Sequence, residues 1–348
     1  MNKISSVNQR LIQAVSTLRR EHSPLPILGV TALVFVIFSV LAPDKFPTSA
    51  NIVSIAFQVP GTALLAMGVM LSMVLAGIDL SVVAIADLSG VTMVQYFTYV
   101  GATHPGHGGP LVIIGGVLIA LVVGAACGAI NGLIIGRLRV TAILATLATM
   151  ELYGGLAIGW TGGNTLLKVP QPIMNIGYET LGGIPLPTII LLGCALLVAL
   201  LLNGSRFGIR AILVGANPRA ATLSGIREPG VQLGIYTASG ILAAVAGIIF
   251  VGRNAGATPN YGAGSYILLA VVTAVLAGVD PVGGFGTVVG VLFAAFALHM
   301  IQAGFVALQF NQFLYEAAQG AILIIVLVAG SITQGNIRWF VRLMRPRV

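Results

Sequence analysis

The chain has 348 residues, 57% of them hydrophobic and only 7% charged, where an ordinary soluble domain carries about 25% charged residues. Apolar runs of roughly 17 to 25 residues recur along it, each long enough to cross a hydrocarbon core about 30 Å thick, so a soluble protein is excluded. Open sheets leave edge groups unpaired in lipid and barrel strands alternate over about ten residues, which leaves one expected fold class: all-α, a polytopic membrane helical bundle.

In chain order, residues 1–25 form a polar, basic N-terminal segment without the short apolar core and small-residue cleavage site of a cleaved signal peptide. Ten candidate spans follow within a transmembrane domain at 26–331: 26–43, 60–77, 81–98, 110–136, 140–160, 186–202, 231–252, 265–279, 284–306 and 313–331. The second and third are joined so tightly at Gly77-Ile78-Asp79-Leu80-Ser81 that one broken helix is an alternative. In the fourth, Gly124, Gly128, Gly132 and Gly136 make a smooth ridge where another backbone can approach closely. Val74 to Asp79 and Val275 to Asp280 share five of six residues at an offset of 201, a hint of internal duplication. A basic tail, 332–348, ends the chain.

The formal charge of +8 is topological. With both termini in the cytoplasm, Lys3, Arg10, Arg19, Arg20, Arg137, Arg139, Arg206, Arg210, Arg219, Arg227, Arg338, Arg342, Arg345 and Arg347 lie inside, fourteen of the 17 basic residues, leaving Lys45, Lys168 and Arg253 outside. That asymmetry satisfies the positive-inside rule and suits contact with the lipid bilayer; no nucleic-acid partner is expected.

Enzymatic chemistry is missing from the sequence. The three lysines have no preceding glycine, so there is no phosphate-binding GxxxxGK[ST] loop and any ATP is handled by another subunit. Cys127 and Cys194 lie inside apolar runs as inert thiols, His104 and His107 read as a solvated outside loop, His299 as a satisfied buried histidine, and no metal site is expected. Within the spans, Asp87, Asn131 and Glu151, with Gln58 near a helix entrance, are the polar residues expected to face a translocation route, with interhelical hydrogen bonding as the other reading; Glu316 lies near the start of the last span. In the cytoplasmic loop 204–230, Asn217, Pro218, Arg219, Ala220, Ala221, Thr222, Leu223, Ser224 and Gly225 spell a complete short helix: Asn as N-cap, Pro at the first helical position and Gly as terminator. Such a helix is too short to stand alone in water and must pack on its own bundle or on a partner.

These segments resemble the permease subunits of bacterial ABC monosaccharide importers, the branch handling ribose, arabinose, xylose, rhamnose and autoinducer-2. The resemblance covers about residues 27–335 and rests on Gly77-Ile78-Asp79-Leu80-Ser81, Ala145-Thr146-Leu147-Ala148-Thr149-Met150, Trp160-Thr161-Gly162-Gly163, Arg206-Phe207-Gly208, Gly215-Ala216-Asn217-Pro218 through Ser224-Gly225-Ile226, and Gly283-Gly284-Phe285-Gly286. It implies a multi-pass protein of the bacterial inner membrane. The complex it implies has two permease subunits, two copies of a cytoplasmic ATPase subunit that binds ATP and Mg, and a periplasmic sugar-binding protein. Residues 217–225 are then the helix that couples to the ATPase, and the solute is a pentose, hexose, deoxyhexose or related furanose. An autonomous secondary transporter or facilitator is the alternative.

Overall fold

The computed structural model describes residues 25–103, 109–261, 265–311, 313–325 and 328. Lys3, Arg10, Arg19, Arg20, His104, His107 and the tail arginines Arg338, Arg342, Arg345 and Arg347 fall outside them. In chain order the elements are α1 (Leu25–Leu41), α2 (Ser49–Val74), α3 (Val82–Thr103), α4 (Pro110–Leu138), α5 (Ala142–Thr161), α6 (Gln171–Tyr178), the two-residue strands β1 (Thr180–Leu181) and β2 (Ile184–Pro185), α7 (Leu186–Ala199), α8 (Arg206–Ala216), α9 (Pro218–Leu223), α10 (Glu228–Asn254), α11 (Ser265–Leu276) and α12 (Val288–Ala307). A further apolar helix, α13, runs Phe313–Ile325.

Each of the ten candidate spans contains a helix. Among the described residues six helices are long and apolar enough to cross a membrane: α2, α4, α5, α7 with its continuation to Gly204, α10 and α12. Alpha-helices α1, α11 and α13 are apolar but shorter, and α3 has the length, 22 residues, but carries Asp87 and several hydroxyls.

Helices α2 and α10 form the centre, hidden over most of their length, while α1, α4, α5 and α7 present Leu33, Val40, Leu118, Val122, Leu144, Leu156, Leu192 and Leu196 outward, as helices facing hydrocarbon must. The α4 ridge closes on α10: a Cβ on Gly124 would sit 2.4 Å from the Gly240 carbonyl oxygen, and one on Gly128 2.2 Å from that of Tyr236. Only backbone fits there, so these glycines set the helix–helix distance.

The described basic residues separate by end. Arg137, Arg139, Arg206, Arg210, Arg219 and Arg227 gather at one end, called here the basic end, where α4 and α7 finish and α10 begins; Lys45, Lys168 and Arg253 lie at the far end. The duplicated hexapeptides finish α2 and α11 at the basic end. Both close with a backbone bond to the fifth residue back, Gly77 N–H to the Ser72 carbonyl (3.1 Å) and Val279 N–H to that of Ala274 (3.2 Å). The left-handed residues are Ala76 (φ 59°) and Gly278 (φ 78°), so the two turns correspond one residue out of the register that the sequence identity suggests.

Candidate functional site

The junction between α2 and α3 is not a broken helix that continues onward. After Val74 the chain reverses, and Ile78 to Ser81 run back into the bundle outside any helix or strand. Helix α3 then starts in the interior: a Cβ on Gly68, well inside α2, would meet both the Val82 side chain (3.4 Å) and the Ser239 hydroxyl (3.0 Å). Ser239 is eleven residues into the 27-residue α10, near mid-membrane at 1.5 Å per residue.

Backbone left without a helix at that depth must find partners inside the protein, and here it does. The Thr146 hydroxyl of α5 accepts from Leu80 N–H at 3.2 Å and donates to the Ile78 carbonyl at 3.0 Å. The Ser72 hydroxyl accepts from Asp79 N–H at 2.9 Å. Asp79 is fully buried and sits at the amino end of α3, where a carboxylate complements the helix dipole and the unpaired N–H groups. Its Oδ1 accepts from the Ser81 N–H (3.0 Å) and hydroxyl (2.6 Å), and its Oδ2 from the Ser239 hydroxyl of α10 (3.0 Å). Asn131 of α4 extends the network, donating to the Ser81 hydroxyl at 2.7 Å and facing the Tyr153 hydroxyl at 3.4 Å, which in turn donates to the Cys127 carbonyl at 3.1 Å. Five helices thus share one polar knot.

At the basic end a second arrangement is built around α8 and α9. Ser205 caps α8, accepting from Gly208 N–H at 3.0 Å, and α8 buries Gly208, Ala211, Val214 and Gly215 while leaving Arg206 and Arg210 exposed. One residue, Asn217, ends α8 and caps α9: its Oδ1 accepts from Ala220 N–H at 3.0 Å. Pro218 occupies the first turn, and Gly225 (φ +80°) permits the reversal in which Ile226 N–H bonds back to the Ala221 carbonyl at 3.1 Å. Leu223 points outward, 90% exposed, and Asn217, Pro218, Arg219, Ala220 and Ser224 are also exposed. Ala221 is 4% exposed, packed against the chain's own bundle. The loop 204–230 therefore holds two helices rather than one. Beside α9 opens a cleft of about 1520 Å³ whose walls include Arg137, Arg139, Arg219 and Arg227, with Glu228 the acidic group among them.

The two arrangements meet. A Cβ on Gly215 would lie 1.7 Å from the Val74 carbonyl oxygen, and that oxygen accepts from Gly284 N–H at 2.9 Å. The end of α8, the end of α2 and the 280–284 turn thus touch through backbone alone, three residues from the start of α9 and five from Asp79.

The four polar residues picked out by sequence are not brought together. Asn131 is in the knot; Asp87 is buried further along α3 against α10, facing the Tyr261 N–H; Gln58 is half-buried towards the far end, donating to the Ser54 hydroxyl at 3.0 Å; Glu151 is exposed on the outer face of α5. His299 is buried and satisfied, 2.9 Å from the Ala295 carbonyl and 3.3 Å from the Thr62 hydroxyl. Asp79, Ser81, Thr146 and Ser239 did not stand out in sequence as interior polar groups, although the first three lie in motifs that carry the family resemblance. The signal available was an aspartate within seven residues of a serine on either side of a glycine reversal, which reads equally well as the wet end of a span.

Residues 51–327 match the family model described as branched-chain amino acid transport system / permease component. The chain belongs to this permease family. It is 32% identical over 314 residues to the ribose import permease protein of Bacillus subtilis (strain 168), covering 87% of this chain and 91% of that one. It is also 32% identical over 266 residues to the autoinducer 2 import system permease protein of Yersinia pseudotuberculosis serotype O:3 (strain YPIII), covering 76% and 72%. No solved structure matches. The permease is accordingly a multi-pass membrane protein, and the glycine turns, the knot and the capped α9 all lie within the matched residues.

Proposed function

We propose that this permease is the membrane-spanning subunit of an ATP-driven bacterial importer for a small sugar, a pentose, hexose, deoxyhexose or related furanose, received from a periplasmic binding protein. The names of its ribose- and autoinducer-importing relatives support the substrate class. The basic end faces the cytoplasm, in keeping with the positive-inside rule, and the protein sits in the inner membrane. ATP and Mg belong to a separate ATPase subunit, in keeping with the missing phosphate loop. A second permease, identical or homologous, completes a two-fold complex.

The observation that carries this reading is α9, a fully capped helix of six residues anchored through Ala221 with Leu223 left 90% exposed at its tip. A large apolar side chain on a rigid, basic-ended projection suits a socket in a partner. A push there passes through Asn217 and Gly215 to the Val74 carbonyl, and so to the reversal that positions Asp79 and α3. Rigid-body coupling needs such backbone contact, because packed interfaces shift as units rather than deform.

The test is uptake of radiolabelled D-ribose, L-arabinose, D-xylose and L-rhamnose by cells carrying the intact importer, with Leu223→Asp as the variant. Uptake of one of these sugars is expected, with a loss of tenfold or more in L223D while the chain remains in the membrane. Solute movement by the permease alone in liposomes, without an ATPase, overturns the importer reading; undiminished uptake by L223D moves the docking surface away from α9.

A further inference from the structure

A pocket near the far end lies between α3, α10 and the segment that follows α10, and Asp87, Gly90, Gly247, Asn254, Thr258 and Tyr261 line it. It exists because the two helices meet there through glycine: a Cβ on Gly247 would sit 2.3 Å from the Ala86 carbonyl oxygen and one on Gly90 2.8 Å from a Val251 methyl. Among the described residues no side chain fills the space beside Asp87. We propose that this pocket is a subsite of the sugar pathway that takes one hydroxyl of the transported sugar, whose O–H donates to the Asp87 carboxylate; the inference rests on the importer reading above.

Three observations carry it. The first is an unfilled hydrogen-bonding capacity: Asp87 is 8% exposed, and among the described residues the donor that faces it is the Tyr261 N–H. A carboxylate offers about four acceptor positions, and a buried one with few donors is costly until a ligand supplies more. Asp79, by contrast, takes three donors and has no call for a ligand.

The second is size. The pocket volume is about 10 Å³, the room of roughly one water-sized group, so it admits a hydroxyl and excludes a sugar ring. The ring would remain at the mouth, where Asn254 is exposed and Phe250 and Tyr261 stand 5.7 Å apart, with Tyr266 stacked on Tyr261 at 5.6 Å. Apolar ring faces beside a few convergent polar groups are what a small polyol needs for orientation.

The third is rigidity. Ala257 and Leu166 exchange two backbone bonds of 2.9 Å, and the Thr165 and Thr258 hydroxyls are 3.1 Å apart. The wall opposite Asp87 is therefore set before a ligand arrives, which lowers the ordering cost of binding.

The experiment compares wild type and Asp87→Asn in cells carrying the intact importer, using whichever of D-ribose, L-arabinose, D-xylose and L-rhamnose is taken up fastest, together with its monodeoxy derivatives. Asparagine preserves the shape and still accepts from Tyr261 N–H. The maximal uptake rate should fall tenfold or more while the half-saturating sugar concentration, set by the binding protein, stays where it was. One deoxy derivative, lacking the hydroxyl that enters the pocket, should be slow in wild type and no slower in D87N. Equal slowing of every derivative makes Asp87 a structural anchor over a trapped water and overturns the subsite, as does unchanged uptake. If D87N fails to accumulate, Asn254→Ala reads the same pocket by the same pattern. Absence of uptake of all four sugars in wild type overturns the importer reading and the subsite with it; wild-type uptake with an insensitive D87N overturns the subsite alone.

Discussion

Two buried serines on neighbouring helices show what a hydroxyl does in this interior. Ser239 donates to Asp79 Oδ2 at 3.0 Å; Ser89 on α3, equally buried, has no hydrogen-bond partner among the described residues. Removing the first strips a donor from a buried carboxylate, a loss of about 1–3 kcal/mol, whereas removing the second leaves nothing unpaired and is close to neutral. Ser239→Ala should therefore lower the thermal unfolding midpoint in detergent and Ser89→Ala should not. A midpoint for S239A equal to wild type would remove Asp79 from the interactions that hold the reversal in place. At this scale the sequence was partly legible. Asn131 stood out because an amide in an apolar run is conspicuous, but its partner Ser81 is 50 residues away, and the pairing exists only once α3 has been turned back against α4.

Among the elements, α9 was readable residue by residue because capping is local: Asn217, Pro218 and Gly225 each act within a turn of where they stand. Asn217→Leu should cost about 1 kcal/mol of local stability, seen as about fivefold faster hydrogen exchange at Ala220 and Ala221 in the open-segment regime. Exchange at the wild-type rate would mean that bundle contacts, not the cap, hold the helix. Helix α8 was hidden from the same reasoning. Gly208 and Gly215 read as helix breakers in sequence, yet both are in the helix because their missing side chains let α8 lie against the Leu201 and Val74 carbonyls. The burial of Ala221 was invisible for a related reason: which side of a six-residue helix faces home is decided by the elbow at Asn217 and not by the helix's own composition.

For the molecule as a whole, apolar content announced a bundle, but it did not rank the helices, since α4 and α7 are as apolar as any and lie on the outside. Lipid tails are no less apolar than leucine, so what draws a helix to the centre is backbone proximity and polar contact. Helices α4 and α10 illustrate this through Gly128, where a side chain has no room against the Tyr236 carbonyl. Gly128→Leu should force the pair apart, at a cost of at least the 1–3 kcal/mol typical of overpacking, and reduce the amount of folded permease recovered from membranes. Recovery at the wild-type level would show that the α4 contact is dispensable. Charge, by contrast, was legible at this scale, because sorting arginines to one end requires only the order of spans.

The interior start of α3 also constrains which length changes the chain can absorb. Loops ordinarily accept an extra residue with little consequence, yet the four residues from Ile78 to Ser81 behave as a fixed spacer, pinned at Leu80 by Thr146 and at Asp79 by Ser239. One residue added there would turn α3 by about 100° around its axis, swinging Asp87 away from Gly247 and Tyr261 while every side chain of the helix stayed the same. Homologous chains in which the aspartate-to-helix spacing differs should thus be unable to share the Asp87 pocket, whatever residue they carry at that position.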